Sequence, residues 1–369
     1  MIDLDAIADN VRYFRQLVSA GTCVIAVVKA DGYGHGAVAV ARSALGAGAS
    51  QLAVATVDEG VALRVADIEA PVLVLGPIDP SEVGLALERR LTLALADARF
   101  AAVVGRVAGG LGGPPAPVHV KVDTGMHRFG VAPADALDLA TAIASQPSLS
   151  LVGVFTHFAD ADGVDEANTR HQSDVFEAVV GRLVAGGVDP GVRHAANSAA
   201  ALRWRRYDFD AVRIGIALYG LPPSLDWSLP AALRPAMRVV SRVARVSALP
   251  EGQGVSYGLT YRAPAQELIG LVPVGYGDGV PRALSNRGWM GLAGRRAPIR
   301  GRVCMDQTTI GLPMDAKVRV GDLVEVMGGL GPSLAEVART SGTIAYEIAV
   351  GLSRRVPREY VRNDRSTGS

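Results

Sequence analysis

Eight short apolar runs, separated by stretches with helical periodicity, fill the chain up to about Pro223 and leave few folds open to it. The runs are Cys23–Val28, Gln51–Ala55, Pro71–Leu75, Leu91–Leu95, Pro117–Val122, Leu151–Phe155, Val192–Ala195 and Ala211–Tyr219. Each is β-branched or aliphatic and closes at a loop residue. Between them lie Ala37–Ala47, Asp58–Ala66, Ser81–Arg89, Pro133–Ala144 and Asn168–Ala185, several with the acidic or proline-containing starts that helix N-termini prefer. Strands alternating with helices imply parallel pairing through right-handed crossovers. Eight of them point to a closed (β/α)8 barrel of the TIM type rather than an open sheet.

After Pro223 the pattern changes. Val239–Leu249, Glu267–Val274, Ala297–Val303, Gln307–Leu312 and Leu323–Met327 read as strands with Gly, Pro and Asp turns between them. Helical patterns return at Ser333–Thr340 and Ala345–Leu352. This predicts a second, mostly antiparallel β domain, joined through the proline-rich stretch from Leu221 to Pro230. The expected division is 1–225 and 226–369, with a disordered polar tail over 363–369. A chain of 369 residues, 49% hydrophobic and 20% charged, has the material for two cores. Its net charge of +1 gives no electrostatic footprint for nucleic acid or an anionic membrane surface. No apolar window reaches the roughly 18 residues that a membrane span needs. The acidic start Met1–Asp5 is unlike an export signal. Cys23 and Cys304 form neither a disulfide framework nor a metal spacing, so a cytoplasmic protein without a metal is expected.

Active sites of such barrels lie at the C-terminal ends of the strands. There the first run meets Lys29, the fifth Lys121 and then Arg128, the sixth His157, the seventh His194, Asn197 and Ser198, and the eighth holds Arg213. A core strand running into a charge is costly unless that charge is used or paired. Lys29 suits either a strand-end lysine reaching water or an amine whose pKa falls by desolvation, which makes it a nucleophile. Ser198 opens a helix-like run, so it suits an N-cap as well as an anion site. His35, His119, His127 and His171 read as loop or surface residues.

Nine segments together carry a family resemblance. Ala26–Gly36 (AVVKADGYGHG) resembles the cofactor-attachment motif of the alanine racemases. In the family's order there follow Lys121–Arg128 (KVDTGMHR), Thr156–Phe158 (THF), His194–Ser198 (HAANS), Arg213–Gly220 (RIGIALYG), Val255–Gly258 (VSYG), Val274–Gly279 (VGYGDG), Gly301–Gln307 (GRVCMDQ) and Thr343–Glu347 (TIAYE). The resemblance implies a barrel that binds pyridoxal 5′-phosphate (PLP), a following β domain, and interconversion of L- and D-alanine for the bacterial cell wall. It implies Lys29 as the lysine that carries the cofactor and as one catalytic base. Tyr257 is implied as the second base, supplied by the other subunit of a homodimer. Tyr33, Asn197, Ser198, Gly215, Ile216 and Tyr346 are implied around the cofactor, its phosphate above all. Arg213 is implied at the ring nitrogen, His157 beside Arg213 in support of the tyrosine, and His194 behind Arg213. The substrate carboxylate falls to Arg128 and the pocket wall to Met305. Lys121 matches a lysine often carbamylated in the family; its other reading is a simple pair with Asp123. Alternatives are a racemase of broader range that takes serine, and a non-catalytic PLP-binding protein, which is generally a single barrel.

Overall fold

The computed structural model describes residues 1–313 and 317–362, so the tail expected to be disordered lies outside the described residues. The chain forms two compact units. One comprises Ile7–Gly32 and Gly36–Leu218; the other holds Met1–Ala6, Tyr33–His35 and the described residues from Tyr219 onward.

The first unit contains the expected barrel. Its strands are Cys23–Val27, Gln51–Val54, Val72–Val74, Thr92–Leu95, Ala116–Lys121, Leu149–Phe155, Val192–His194 and Ala211–Ile214. They pair in parallel in chain order and close on themselves, Ile25 standing opposite Gln51 on one side and Arg213 on the other. Strands covered on both faces need apolar side chains at nearly every position, which is why they read as continuous runs. Capped helices return the chain between them: Thr56 Oγ1 accepts the Glu59 N–H ahead of Val57–Val65, and Asp97 accepts that of Phe100 ahead of Ala98–Leu111. The eighth strand is shorter than its apolar run. Beyond Ile214 the N–H groups of Gly215 and Ala217 turn to Ser198 Oγ, and Ile216–Tyr219 coils as a 3₁₀ turn.

The second unit is mostly antiparallel, as expected. Val239–Arg242, Leu323–Met327, Trp289–Leu292 and Arg295–Pro298 make one sheet; Arg245–Leu249, Glu267–Val272 and Thr308–Gly311 make another. The single run Val239–Leu249 is therefore two strands. The Val243 N–H bonds Asp322 while that of Ala244 bonds Leu271, so the chain changes sheets between them. Trp289–Leu292, absent from the sequence reading, is half of a hairpin closed at Ala293-Gly294, both with positive φ (51° and 72°). Among the described residues no helix is long and apolar enough to cross a membrane.

Candidate active site

Lys29 follows the first barrel strand, and the next residues take an unusual course. Ala30, Asp31, Gly32 and Tyr33 have φ of 50°, 52°, 61° and 51°, a left-handed turn. Each non-glycine in that conformation costs about 1–2 kcal/mol, so the turn needs fixing from outside. Glu59 supplies part of this: Oε1 accepts the Ala30 N–H at 2.6 Å and Oε2 accepts that of Ala55 at 2.7 Å, tying two strand ends together. Asp31 Oδ1 accepts the Ala37 N–H, and the Gly32 N–H reaches Val28 O at 2.8 Å. The Lys29 amine is held below the usual lysine range by burial first and by Arg128 second, with Glu59 opposing.

Arg213 is 3% exposed, and both of its terminal nitrogens are hydrogen-bonded. Nη2 donates to the carbonyls of Thr156 and Ala195, both at 2.8 Å, and to His157 Nδ1 at 3.0 Å. Nη1 donates to His194 Nδ1 at 2.8 Å and to His194 O at 3.1 Å. Burial pushes its pKa down to about 9, which leaves it cationic at neutral pH. His194 in turn meets His119 Nδ1 through its Nε2, 2.9 Å away. His119 and His35, read from sequence as loop or surface residues, are both buried. His119 faces the barrel interior two residues before Lys121, and the His35 ring packs 4.5 Å from that of Tyr219. His127 and His171 are exposed as expected.

Burial holds His119 and His194 neutral, His119 down to about 3. An unfolded histidine titrates near 6.5. Below that pH the unfolded chain binds more protons, so stability is full above it and falls through the window down to the folded pKa. Each such histidine contributes about 1.4 kcal/mol per pH unit. Denaturant unfolding between pH 7 and 5 is expected to show a shallower loss in His119→Asn than in the native chain; equal slopes would remove His119 from this balance.

The fifth strand ends at Lys121, whose Nζ donates to the Phe129 carbonyl. Burial, then Arg213 and Arg128, push its amine down to about 8 against the opposing pull of Asp123. Asp123 serves mainly its own loop, with Oδ1 accepting the N–H groups of Gly125, Met126 and His127. Arg128 lies exposed beyond that loop. Burial first, and then Arg213, Lys121, Arg128 and Lys29, hold His157 well below the usual imidazole range. The barrel mouth thus gathers positive charge, and an anionic ligand would relieve it.

A second cluster suits a phosphate. Ser198 Oγ accepts the N–H of Gly215 at 2.9 Å and of Ala217 at 3.3 Å, which leaves its own O–H to donate. Asn197 caps the helix Ser198–Arg203 by accepting the Ala200 N–H at 3.0 Å. Ile216 opens the 3₁₀ turn next to this cluster.

The other unit carries the remaining residues. Tyr33 is buried, its ring 4.9 Å from Tyr219 and 6.1 Å from Tyr346. Tyr257 and Met305 line one cavity and stand 71% and 53% exposed, with Leu259 beside them at 50%. Ser256, Gly258 and Leu259 around Tyr257 all have positive φ. The GYGD and CMD segments interlock: Gly277 N donates to Met305 O, and a Cβ at Gly275 would lie 2.1 Å from Cys304 O. Arg355, which the sequence reading passed over, bridges Asp278 and Asp306 at 2.7 Å each and locks this pair of loops. Glu59 was also passed over. The pattern Thr56-x-x-Glu59 signals a capping box, but its carboxylate reaches instead to Ala55 and Ala30.

Over nearly its whole length the chain is similar to known proteins. The family model for the alanine racemase N-terminal domain matches residues 2–223, and that for the C-terminal domain matches 236–360. The second match sets the chain apart from a single-barrel cofactor-binding protein. An alanine racemase of Symbiobacterium thermophilum is 44% identical over 362 residues, 97% of this chain and 96% of that one. One from Geobacillus stearothermophilus is 43% identical over 372 residues, 99% of this chain and 93% of that one. The crystal structure of a Bacillus anthracis alanine racemase with bound L-Ala-P superposes with a TM-score of 0.91 at 40% identity, covering 98% of this chain and 94% of that one. The chain therefore belongs to the alanine racemase family.

Proposed function

We propose that the chain racemises alanine with PLP held by Lys29, using two bases on opposite faces of the substrate, Lys29 and the Tyr257 of a second copy. The observation that carries this reading is the crowd of basic side chains at the barrel mouth, Lys29, Lys121, Arg128 and Arg213. A phosphorylated cofactor and a substrate carboxylate are the anions such a mouth suits. The residues also fit the cofactor chemically: an amine pushed toward its neutral form, a serine O–H free to donate beside helix-start N–H groups, and a buried guanidinium that keeps its proton. Bound there, PLP would withdraw electrons from the alanine Cα and acidify its C–H.

Lys29 Nζ takes or returns the Cα proton on one face. Tyr257 Oη of the second copy does so on the other, so the substrate need not turn over. A phenol near pKa 10 is a weak base at neutral pH. Arg213 donates to His157 Nδ1, so neutral His157 carries its proton on Nε2 and can steady the phenol oxygen. Arg213 would offer the cofactor's ring nitrogen a hydrogen bond but not a proton. Ser198, Asn197, Gly215 and Ile216 would hold the phosphate end. Arg128 would hold the substrate carboxylate, and Met305 of the second copy, beside that copy's Tyr257, would keep the pocket small. Lys121, placed between Arg128 and Arg213 in charge and pushed down to about 8, reads as carbamylated, which would turn one cation into an anion. A mass increment of one carbamate, lost in carbon-dioxide-free buffer, checks that point. The product D-alanine would feed the bacterial cell wall, and unpaired Cys23 and Cys304 suit a reducing cytoplasm.

A homodimer is supported by Tyr257, Leu259 and Met305 standing exposed together, a patch that suits a second copy. Complementation tests it. Lys29→Ala and Tyr257→Phe chains, each inactive alone, should regain about a quarter of native activity when co-assembled in equal amounts, because half the dimers pair one intact Lys29 with one intact Tyr257. No recovery, with mixed dimers demonstrated, would place both residues in one copy's site instead.

A further inference from the structure

His119 is a buried histidine outside the set of residues the reaction uses, and the barrel is shaped to receive it. It is 2% exposed inside the fifth strand. Opposite it the sixth strand carries one extra residue. Val118 pairs with Leu151 but His119 pairs with Gly153, so Val152 bulges. Bulges of this kind re-aim a side chain. Gly153 then leaves room for the ring, since a Cβ there would lie 2.4 Å from His119 Cε1 and 2.6 Å from Nδ1. Phe155 stacks on His194 at 4.8 Å and 5° and meets His119 edge-on at 6.1 Å.

The hydrogen-bond directions follow from Arg213. A guanidinium donates and never accepts. Its Nη1 lies 2.8 Å from His194 Nδ1, so that nitrogen is the acceptor and the His194 proton sits on Nε2. This Nε2–H must then donate to His119 Nδ1, 2.9 Å away. An acceptor at that one point selects the tautomer of His194, and the tautomer decides whether His194 attracts or repels the arginine.

We propose that His119 is a positioning residue for racemisation: by accepting the Nε2–H of His194 it fixes that ring as an acceptor toward Arg213 and keeps the guanidinium aimed and charged. The proposal rests on the reading that Arg213 serves the reaction. Without His119 the His194 Nε2–H has no acceptor there, and the opposite tautomer sets N–H against N–H at Arg213.

Nitrogen-15 spectra of histidine-labelled protein, recorded with and without added PLP, together with kcat and KM for alanine, test it. In the native chain His194 should be protonated at Nε2 alone. In His119→Leu its signals should shift or broaden, and kcat should fall about ten- to hundredfold with KM little changed, as expected for a reacting group slightly misplaced. His119→Asn puts an amide oxygen near the former Nδ1 and should restore both the tautomer and most of kcat. Equal losses in the leucine and asparagine variants would reduce His119 to a packing residue and overturn the proposal. A His194 protonated at Nδ1 in the native chain would overturn it whether or not either variant folds. A tautomer change in His119→Leu with kcat intact would show instead that Arg213 does not serve the reaction, and the role given to His119 would fall with it.

Discussion

Lys29→Ala is expected to abolish measurable racemisation while leaving the barrel folded. The loss should exceed the roughly 10²–10⁴ that one positioned base contributes, because the same substitution also removes the covalent anchor of the cofactor. The fold should survive because Lys29 lies just beyond the first strand, and the contacts fixing the left-handed turn are made by the Ala30 N–H, Glu59 and Asp31. Alanine tolerates position 29 as well as lysine does. The variant should also lose the visible absorbance that lysine-bound PLP gives. D-alanine formation from L-alanine, measured beside a thermal melt, checks both halves. Turnover near the native rate in a folded variant would remove Lys29 from the chemistry.

Tyr257→Phe is expected to keep the cofactor and lose about 10²–10⁴ in turnover. The phenol is 71% exposed in its own copy, so removing its oxygen should not disturb that copy's packing. The more telling readout is stereochemical. With Lys29 still in place, one enantiomer of alanine should continue to exchange its Cα proton with deuterated water without inverting, while the other should not exchange. A single base swinging between faces predicts no such split. Full activity in both directions would mean that another group serves the second face.

The barrel was legible in the sequence because strands covered on both faces announce themselves as unbroken apolar runs. The same property hid His119. Between Val118 and Val120 it reads as an odd residue in a hydrophobic segment, and nothing local says that its neighbour will be His194. The spacing to Lys121 held the clue, since residues two apart on a strand share a face. Lys29, Arg213 and Ser198 were visible as polar residues at strand ends, where barrels do their chemistry. The left-handed turn was not, because Ala30 is a poor residue for it and one of its supports, Glu59, lies thirty positions from Lys29. Val239–Leu249 looked like one strand because its apolar pattern continues unbroken while its hydrogen-bond partners change.

One amine anchors the proposed chemistry, and the composition makes its identity directly testable. The chain has three lysines, Lys29, Lys121 and Lys317. Burial and neighbouring charge push both Lys29 and Lys121 toward the neutral, nucleophilic form, so lowered basicity alone does not choose between them. Borohydride reduction of the PLP-loaded protein, followed by peptide mass spectrometry, does choose. A reduced pyridoxyl group on Lys29 and on neither other lysine is the predicted result; a label on Lys121, or on no lysine, would contradict the account.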